Sequence, residues 1–297
     1  MNTGLTRREL VALAGASLVA PSALAQTEPL LMRSIPSSGE RVPAVGLGTA
    51  RIFDRDDETT RGKAAAVIQA LVANGGRIVD TASTYGDAEL VAGVEMANAG
   101  LRDKIFIATK LESPDAAELK RSLTRLKTTK VDLLQLHNVE KRNQSLARFK
   151  EWKAQGICRY VGITSTFHRD FPAVEAVLRR EKPDFVQIDY SLDVRDAEKH
   201  ILPAAADVKA GVLTALPFGR GRLFSAVHGQ TVPDWASGFA ESWGQFFLKY
   251  LLGDPRVTAV IPGTGDPKHM IDNIGAMRGR LPDEKERAKM VSFVEAL

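Results

Sequence analysis

From residue 44 to residue 277 the chain alternates between two patterns. Short, continuous, β-branched apolar runs at 44–50, 77–82, 105–110, 131–137, 160–165, 185–190, 211–218 and 257–263 read as strands buried on both faces. Longer stretches of mixed polarity at 58–74, 88–97, 115–126, 144–155, 171–180, 196–209, 236–252 and 267–277 read as helices. Ser113-Pro114 has the form of an N-cap followed by proline at the first helical position, and Gly75-Gly76 and Gly156 stand where helices should stop. Strict alternation of eight strands with eight helices predicts an α/β fold, a (β/α)8 TIM barrel in a single domain. The competing architecture, an open doubly wound sheet, favours a Gly-x-Gly-x-x-Gly turn after its first strand. Gly46-Leu47-Gly48-Thr49 lacks the third glycine.

The first 25 residues differ in kind. Thr6-Arg7-Arg8-Glu9-Leu10 leads into a mildly apolar Ala- and Gly-rich stretch, and Ala23-Leu24-Ala25 has the small-x-small form of a cleavage site. We expect residues 1–25 to be a twin-arginine-type signal and residues 26–297 the barrel, exported already folded to the periplasm by the twin-arginine machinery. No later segment is apolar for long enough to span a bilayer. The net charge of +4 is small for 297 residues, and no basic block is interleaved with aromatics, so a nucleic-acid partner is not expected. The one cysteine, Cys158, rules out an internal disulfide and a cysteine-based zinc site, and reads as a buried thiol. No metal site is expected.

Barrel enzymes work at the C-terminal ends of their strands. Asp80, Lys110 and His137 each close one of three successive strand-like runs, and Tyr85 follows in the loop after the first. Such a mouth holds a carboxylate, an ammonium, an imidazole and a phenol together. An ammonium beside a phenol stabilises the phenolate, a carboxylate holds the ammonium in place, and an imidazole orients an oxygen or shares its proton. These groups can protonate an alkoxide as it forms, but they supply no hydride, so a cofactor is needed.

These residues resemble the aldo-keto reductase superfamily. The resemblance runs from Val45-Gly46-Leu47-Gly48-Thr49 to Asn273. It rests most on Val79-Asp80-Thr81-Ala82-x-x-Tyr85-Gly86-x-x-Glu89, Thr109-Lys110 and Val131-Asp132-Leu133-Leu134-Gln135-Leu136-His137. It implies that Tyr85 is the general acid, Lys110 and His137 its partners, and Asp80 the counter-ion of the lysine. It also implies an NAD(P)H-dependent reduction of an aldehyde or ketone to an alcohol by direct hydride transfer, with NADP(H) favoured over NAD(H). Thr164, Ser165 and Gln187 match positions that hold the nicotinamide amide, with Ser165 where relatives carry asparagine. The segment 213–221, with Pro217, Phe218, Gly219, Arg220 and Gly221, matches the loop under the nicotinamide and over the pyrophosphate. Ala215 stands where many relatives stack an aromatic ring, so either Phe218 compensates or the nicotinamide is held less firmly. Gly263, Thr264, Lys268, His269 and Asn273 match the adenosine end, where relatives strict for NADPH carry Lys and Arg at the positions of Gly263 and His269. Trp235 is the candidate substrate wall. His168, His200 and His228 read as surface or helix-cap residues.

Two functions fit. One is an exported carbonyl reductase that leaves with its nucleotide bound, since no pool of reduced nicotinamide is expected outside the cytoplasm. The other is a nucleotide-binding regulatory barrel with little turnover, as in the potassium-channel β subunits of the same superfamily.

Overall fold

The computed structural model describes Met1 and residues 29–297; apart from Met1, the expected leader lies outside the described residues. The first elements are ones the apolar pattern does not predict. Two strands of three residues, β1 (Met32–Ser34) and β2 (Arg41–Pro43), pair antiparallel as a hairpin. The expected strands follow as β3 (Leu47–Gly48), β4 (Ile78–Asp80), β5 (Phe106–Leu111), β6 (Val131–Leu136), β7 (Cys158–Ser165), β8 (Phe185–Asp189), β9 (Gly211–Ala215) and β10 (Val257–Val260). All are parallel and hydrogen-bonded in sequence order. Parallel bridges between Val45 and Val260 and between Gly48 and Gly263 join the two edges and close the barrel. The N–H groups of Gly46 and Gly48 donate to Val260 and Pro262 across that seam, each at 2.9 Å.

Side chains alternate inward and outward along each strand. The inward set in the lower half, Ile78, Phe106, Ala108, Leu133, Tyr160, Phe185, Leu213, Ala259 and Ile261, forms one apolar cluster with Ile35 and Val42 of the hairpin. The hairpin therefore plugs the N-terminal end. A larger, separate cluster lies between the sheet and its helices. Two residues further up, the same inward columns become polar at Asp80, Lys110, Gln135 and Gln187, and on β7 four residues beyond Tyr160 at Thr164, all buried.

The helices are α1 (Glu58–Ala73), α2 (Ala88–Asn98), α3 (Ala116–Arg125), α4 (Ala147–Ala154), α5 (Phe171–Glu181), α6 (Asp196–Lys199), α7 (Ile201–Val208), α8 (Arg222–Ala226), α9 (Trp243–Leu252), α10 (Pro267–Gly275) and α11 (Glu284–Glu295). Among the described residues none is long and apolar enough to cross a membrane. Three departures from expectation have local causes. The α3 cap is Asp115, whose side chain accepts the Ala117 N–H at 2.8 Å, and not Ser113. The stretch 196–209 breaks at His200, because Pro203 has no N–H and its ring crowds the carbonyl four residues back. The stretch 236–252 becomes helical only at Trp243, where Ser242 caps it and accepts the Gln245 N–H at 3.1 Å. The unforeseen α11 starts with a capping box of Asp283 and Glu286. Arg287 ties it to the barrel through the Tyr250 carbonyl at 3.0 Å and Glu198 at 3.2 Å.

Helices α2 and α3 approach closely at Gly93, where an added Cβ would lie 2.3 Å from the Arg125 carbonyl oxygen. Alanine favours a helix over glycine by up to about 1 kcal/mol, but overpacking against fixed backbone costs about 1–3 kcal/mol. Gly93→Ala is therefore expected to lower stability, read as an earlier thermal or urea transition than that of the native chain.

Candidate active site

The inward columns of two adjacent strands deliver the central charges. Lys110 of β5 and Asp80 at the end of β4 form an ion pair, with Nζ 2.7 Å from Oδ2, and only 2% and 4% of the two residues is exposed. The ammonium also donates to the Thr81 carbonyl at 2.7 Å, and Gln187 Nε2 of β8 donates to the same Asp80 oxygen at 3.0 Å. Tyr85 comes over this pair from the loop after β4, with its ring centre 5.0 Å from Lys110 Nζ. Gly86 makes that return possible. Its φ is +55°, and a Cβ there would meet the Asp54 carbonyl oxygen at 2.4 Å. His137, just past β6, meets the Tyr85 ring edge-on, the ring centres 5.7 Å apart.

The loops that carry these groups are tied together. The Glu118 carboxylate of α3, itself buried, accepts the Ser83 hydroxyl at 2.6 Å and the Glu112 N–H at 3.0 Å. Glu112 in turn puts its carboxylate on His137 Nδ1, with Thr84 Oγ1 3.3 Å and Asn138 Nδ2 3.4 Å from its oxygens. Sequence reasoning passed over Glu112 and Gln135, although Gln135 lies on the inward face of β6 by the same alternation that marks His137. Burial disfavours the charge on Lys110, but the Asp80 carboxylate and then the Tyr85 phenol more than offset this. Its pKa lies above the ordinary lysine value and it stays an ammonium. His137 moves the other way. Burial and then the Lys110 charge hold its pKa below the usual value against the pull of Glu112, so the ring is neutral at neutral pH.

Around the pair, three inward side chains carry a buried oxygen with no partner: Asp80 Oδ1, Gln135 Oε1 and Asp189 Oδ1. Burial raises the Asp189 pKa, opposed by His168. Gln135 Nε2 donates to Gln187 Oε1 at 3.3 Å, which links both amides to the ion pair. Unpaired buried oxygens call for a ligand that brings donors, and a carboxamide NH2 is such a group. Thr164 is buried on the same inward face, whereas the hydroxyl of Ser165 turns outward and sits 3.1 Å from Asp170 Oδ2. Past β9, Gly219, Arg220 and Gly221 all have positive φ, and Arg222 pairs with Asp193 at 2.8 Å. Phe218, from the buried Pro217 end of this loop, packs on Phe224, with ring centres 4.8 Å apart, and on Phe247. In the segment after β10, Gly263, Lys268 and His269 are exposed, and Thr264 and Asn273 are buried. Asp266 caps α10 there, accepting the Lys268 N–H at 2.8 Å. Trp235 is not brought to the mouth. It packs on Phe239, Phe246 and Phe293, with Lys289 Nζ 4.4 Å from its ring centre. Cys158 is a buried thiol, pushed by burial up to about 12. No group of three or more His, Cys, Asp or Glu among the described residues is placed to hold a metal.

Comparison with known proteins agrees with this geometry. The model of the aldo/keto reductase family matches residues 44–291, most of the chain. The chain belongs to the aldo/keto reductase family. The matched region holds all four residues of the tetrad and both segments expected to hold nucleotide. The chain is 28% identical over 259 residues to an aldo-keto reductase of Mycobacterium avium, covering 84% of this chain and 85% of that protein. It is 25% identical over 295 residues to the uncharacterized oxidoreductase YqkF of Bacillus subtilis, covering 86% of this chain and 93% of that one. An aldo-keto reductase from Klebsiella pneumoniae, solved in complex with NADPH, superposes with a TM-score of 0.75 at 23% identity, over 89% of this chain and 96% of the other.

The Asp80–Lys110 pair generates a stability prediction. Because the folded pKa of Lys110 is raised, its stabilising contribution is full below the unfolded lysine value of about 10.4 and is lost as pH rises through the folded value. Asp80→Asn leaves the ammonium buried without a counter-ion, a change that costs about 3–5 kcal/mol. The loss is expected in urea melts at pH 7 and should shrink towards pH 11, where the lysine can give up its proton.

Proposed function

We propose that this aldo/keto reductase is an NADP(H)-dependent carbonyl reductase with Tyr85 as its proton donor. The observation that carries the reading is the sealed Lys110 ammonium, paired with Asp80 and lying 5.0 Å from the Tyr85 ring centre. A fixed positive charge beside a phenol stabilises the negative charge left when the phenol gives up its proton. Tyr85 then protonates the oxygen of an aldehyde or ketone as it becomes an alkoxide, and His137 faces the hydroxyl so formed. Asp80 keeps Lys110 charged and still. The nicotinamide, when bound, supplies the hydride.

Support for NADP(H) comes from family membership, from the NADPH carried by the Klebsiella pneumoniae relative, and from the mouth itself. Gln187, Gln135 and Thr164, inward and buried, support a carboxamide site beside the ion pair. Pro217, Gly219, Arg220 and Gly221 suit a pyrophosphate, and Thr264, Lys268, His269 and Asn273 suit the adenosine end. Tyr85→Phe removes the proton and keeps the ring. With a panel of aldehydes and ketones followed by loss of nicotinamide absorbance, it is expected to lower kcat on the order of 10²–10⁴-fold while NADPH affinity, read by fluorescence, holds. Unchanged turnover would remove Tyr85 from its role. A native chain that binds NADPH and turns over none of the panel would point to a regulatory barrel instead.

We further propose that the protein is exported folded to the periplasm with NADP(H) already bound. The twin arginines, the short apolar stretch and the Ala23-Leu24-Ala25 ending support the route. Expressed from its own leader, the protein is expected in the periplasmic fraction, carrying nucleotide through desalting, and Arg7→Lys with Arg8→Lys should hold it in the cytoplasm. Export of nucleotide-free protein would overturn the retention.

A further inference from the structure

Glu112 lies two residues beyond Lys110, solvent-exposed, and the proposed reaction leaves it without a part. Its carboxylate nevertheless rests on Nδ1 of His137, within reach of Thr84 Oγ1 at 3.3 Å and Asn138 Nδ2 at 3.4 Å. Its placement is built in, because its backbone N–H is held at 3.0 Å by Glu118, the buried carboxylate that also holds Ser83. One side chain of α3 thus fixes the segment carrying Glu112 relative to the loop carrying Tyr85.

A carboxylate can only accept. Nδ1 must therefore carry the proton, and in the neutral ring Nε2 is left with a lone pair. The charged and titratable groups facing this imidazole are Glu112 from the loop after β5, Lys110 from β5, Asp80 from β4 and Tyr85 from the loop after β4. Of these, Glu112 is the one in contact with Nδ1 and open to solvent.

We propose that Glu112 is a positioning residue that fixes the Nδ1–H tautomer of His137 and leaves Nε2 as a hydrogen-bond acceptor for the reacting oxygen. The chemical consequence rests on the carbonyl-reductase reading; the tautomer does not. An alcohol can give its hydroxyl proton to a bare Nε2, and a carbonyl cannot. Neutral His137 therefore holds the alcohol form better. When the ring gains a second proton, the same nitrogen becomes a donor to a carbonyl oxygen. The negative charge of Glu112 favours that second proton, so it sets the pH at which His137 changes from acceptor to donor.

The test is 15N NMR of the full chain labelled at its five histidines, with the His137 signals assigned by their loss in His137→Asn. The native protein at pH 8 is expected to show Nδ1 protonated and Nε2 bare. In Glu112→Gln, whose amide can either accept from or donate to Nδ1, both tautomers should appear and the titration midpoint should fall by about one unit. The pH at which kcat/KM for carbonyl reduction changes should fall with that midpoint in the same variant, with NADPH binding retained. Glu112→Ala should shift the midpoint in the same direction. A native ring protonated on Nε2, or a tautomer and midpoint that neither variant changes, overturns the inference. Because the NMR measurement needs no turnover, a chain without reductase activity but with the expected His137 behaviour loses only the proposed reaction.

Discussion

Lys110 carries a positive charge inside a closed barrel, where an unpaired ion is too costly to keep. Its surroundings are arranged around that demand. Asp80 supplies the counter-charge at 2.7 Å, the Thr81 carbonyl accepts a second hydrogen bond from the ammonium at 2.7 Å, and Gln187 steadies the carboxylate from across the barrel at 3.0 Å. Such a pair seldom adds stability over a well-packed apolar filling. The same strands supply that filling one layer down, where Ile78, Phe106, Leu133 and Phe185 pack against Ile35. The barrel thus separates its tasks by height: hydrocarbon below stabilises the closed sheet, which tolerates a buried ion pair above.

That division explains why distant residues meet. Alternation puts Ile78 and Asp80 on the inward face of β4, and Ala108 and Lys110 on that of β5, so each column passes from apolar to charged within two residues. The parallel register then sets the columns side by side, with Asp80 opposite Ala108 and Lys110 opposite Gln135. Tyr85 and His137 lie outside the strands and depend on tethers instead. Gly86 permits the turn, and Glu118 joins the Ser83 and Glu112 segments. A neutral His137 beside a charged Lys110 follows from the same crowding, because a second buried cation would face repulsion as well as desolvation.

The eight barrel strands and the tetrad positions were legible because strands buried on both faces read as continuous apolar runs, and chemistry gathers at their ends. Other parts left little or no periodic signal. β1 and β2 have three residues each and α8 has five, too few to establish a period. α11 buries only Met290 fully and depends on Arg287 and its capping box, neither of which is an apolar pattern. Trp235 illustrates a different limit. Aromatics at helical spacing look alike whether they line a pocket or a core, and only the contacts with Phe239, Phe246 and Phe293 decide for the core. Alternation puts Thr164 on the inward face, while the Ser165 hydroxyl bonds Asp170, a partner that the sequence pattern does not reveal. Glu112 escaped because a single exposed glutamate after a strand has no distinguishing pattern until the fold brings His137 to it.

The nucleotide ends bear on how a retained cofactor could be held. Ala215 offers no ring for stacking, and Phe218 packs on Phe224 and Phe247. At the adenosine end, Asp266 brings a negative charge to the start of α10 beside Lys268 and His269, so a 2′-phosphate there meets mixed charge. Retention on the proposed reading must then draw on the centre. There Asp80, Gln135 and Asp189 each hold a buried oxygen without a donor, and leaving such an atom unpaired costs about 1–3 kcal/mol. A carboxamide that satisfies even two of them recovers energy on the scale of a tenfold or larger gain in affinity, without any new apolar contact. The ion pair that keeps Lys110 charged anchors this amide network through Gln187. The charge that prepares Tyr85 and the polarity that would hold the nicotinamide are therefore parts of one buried cluster.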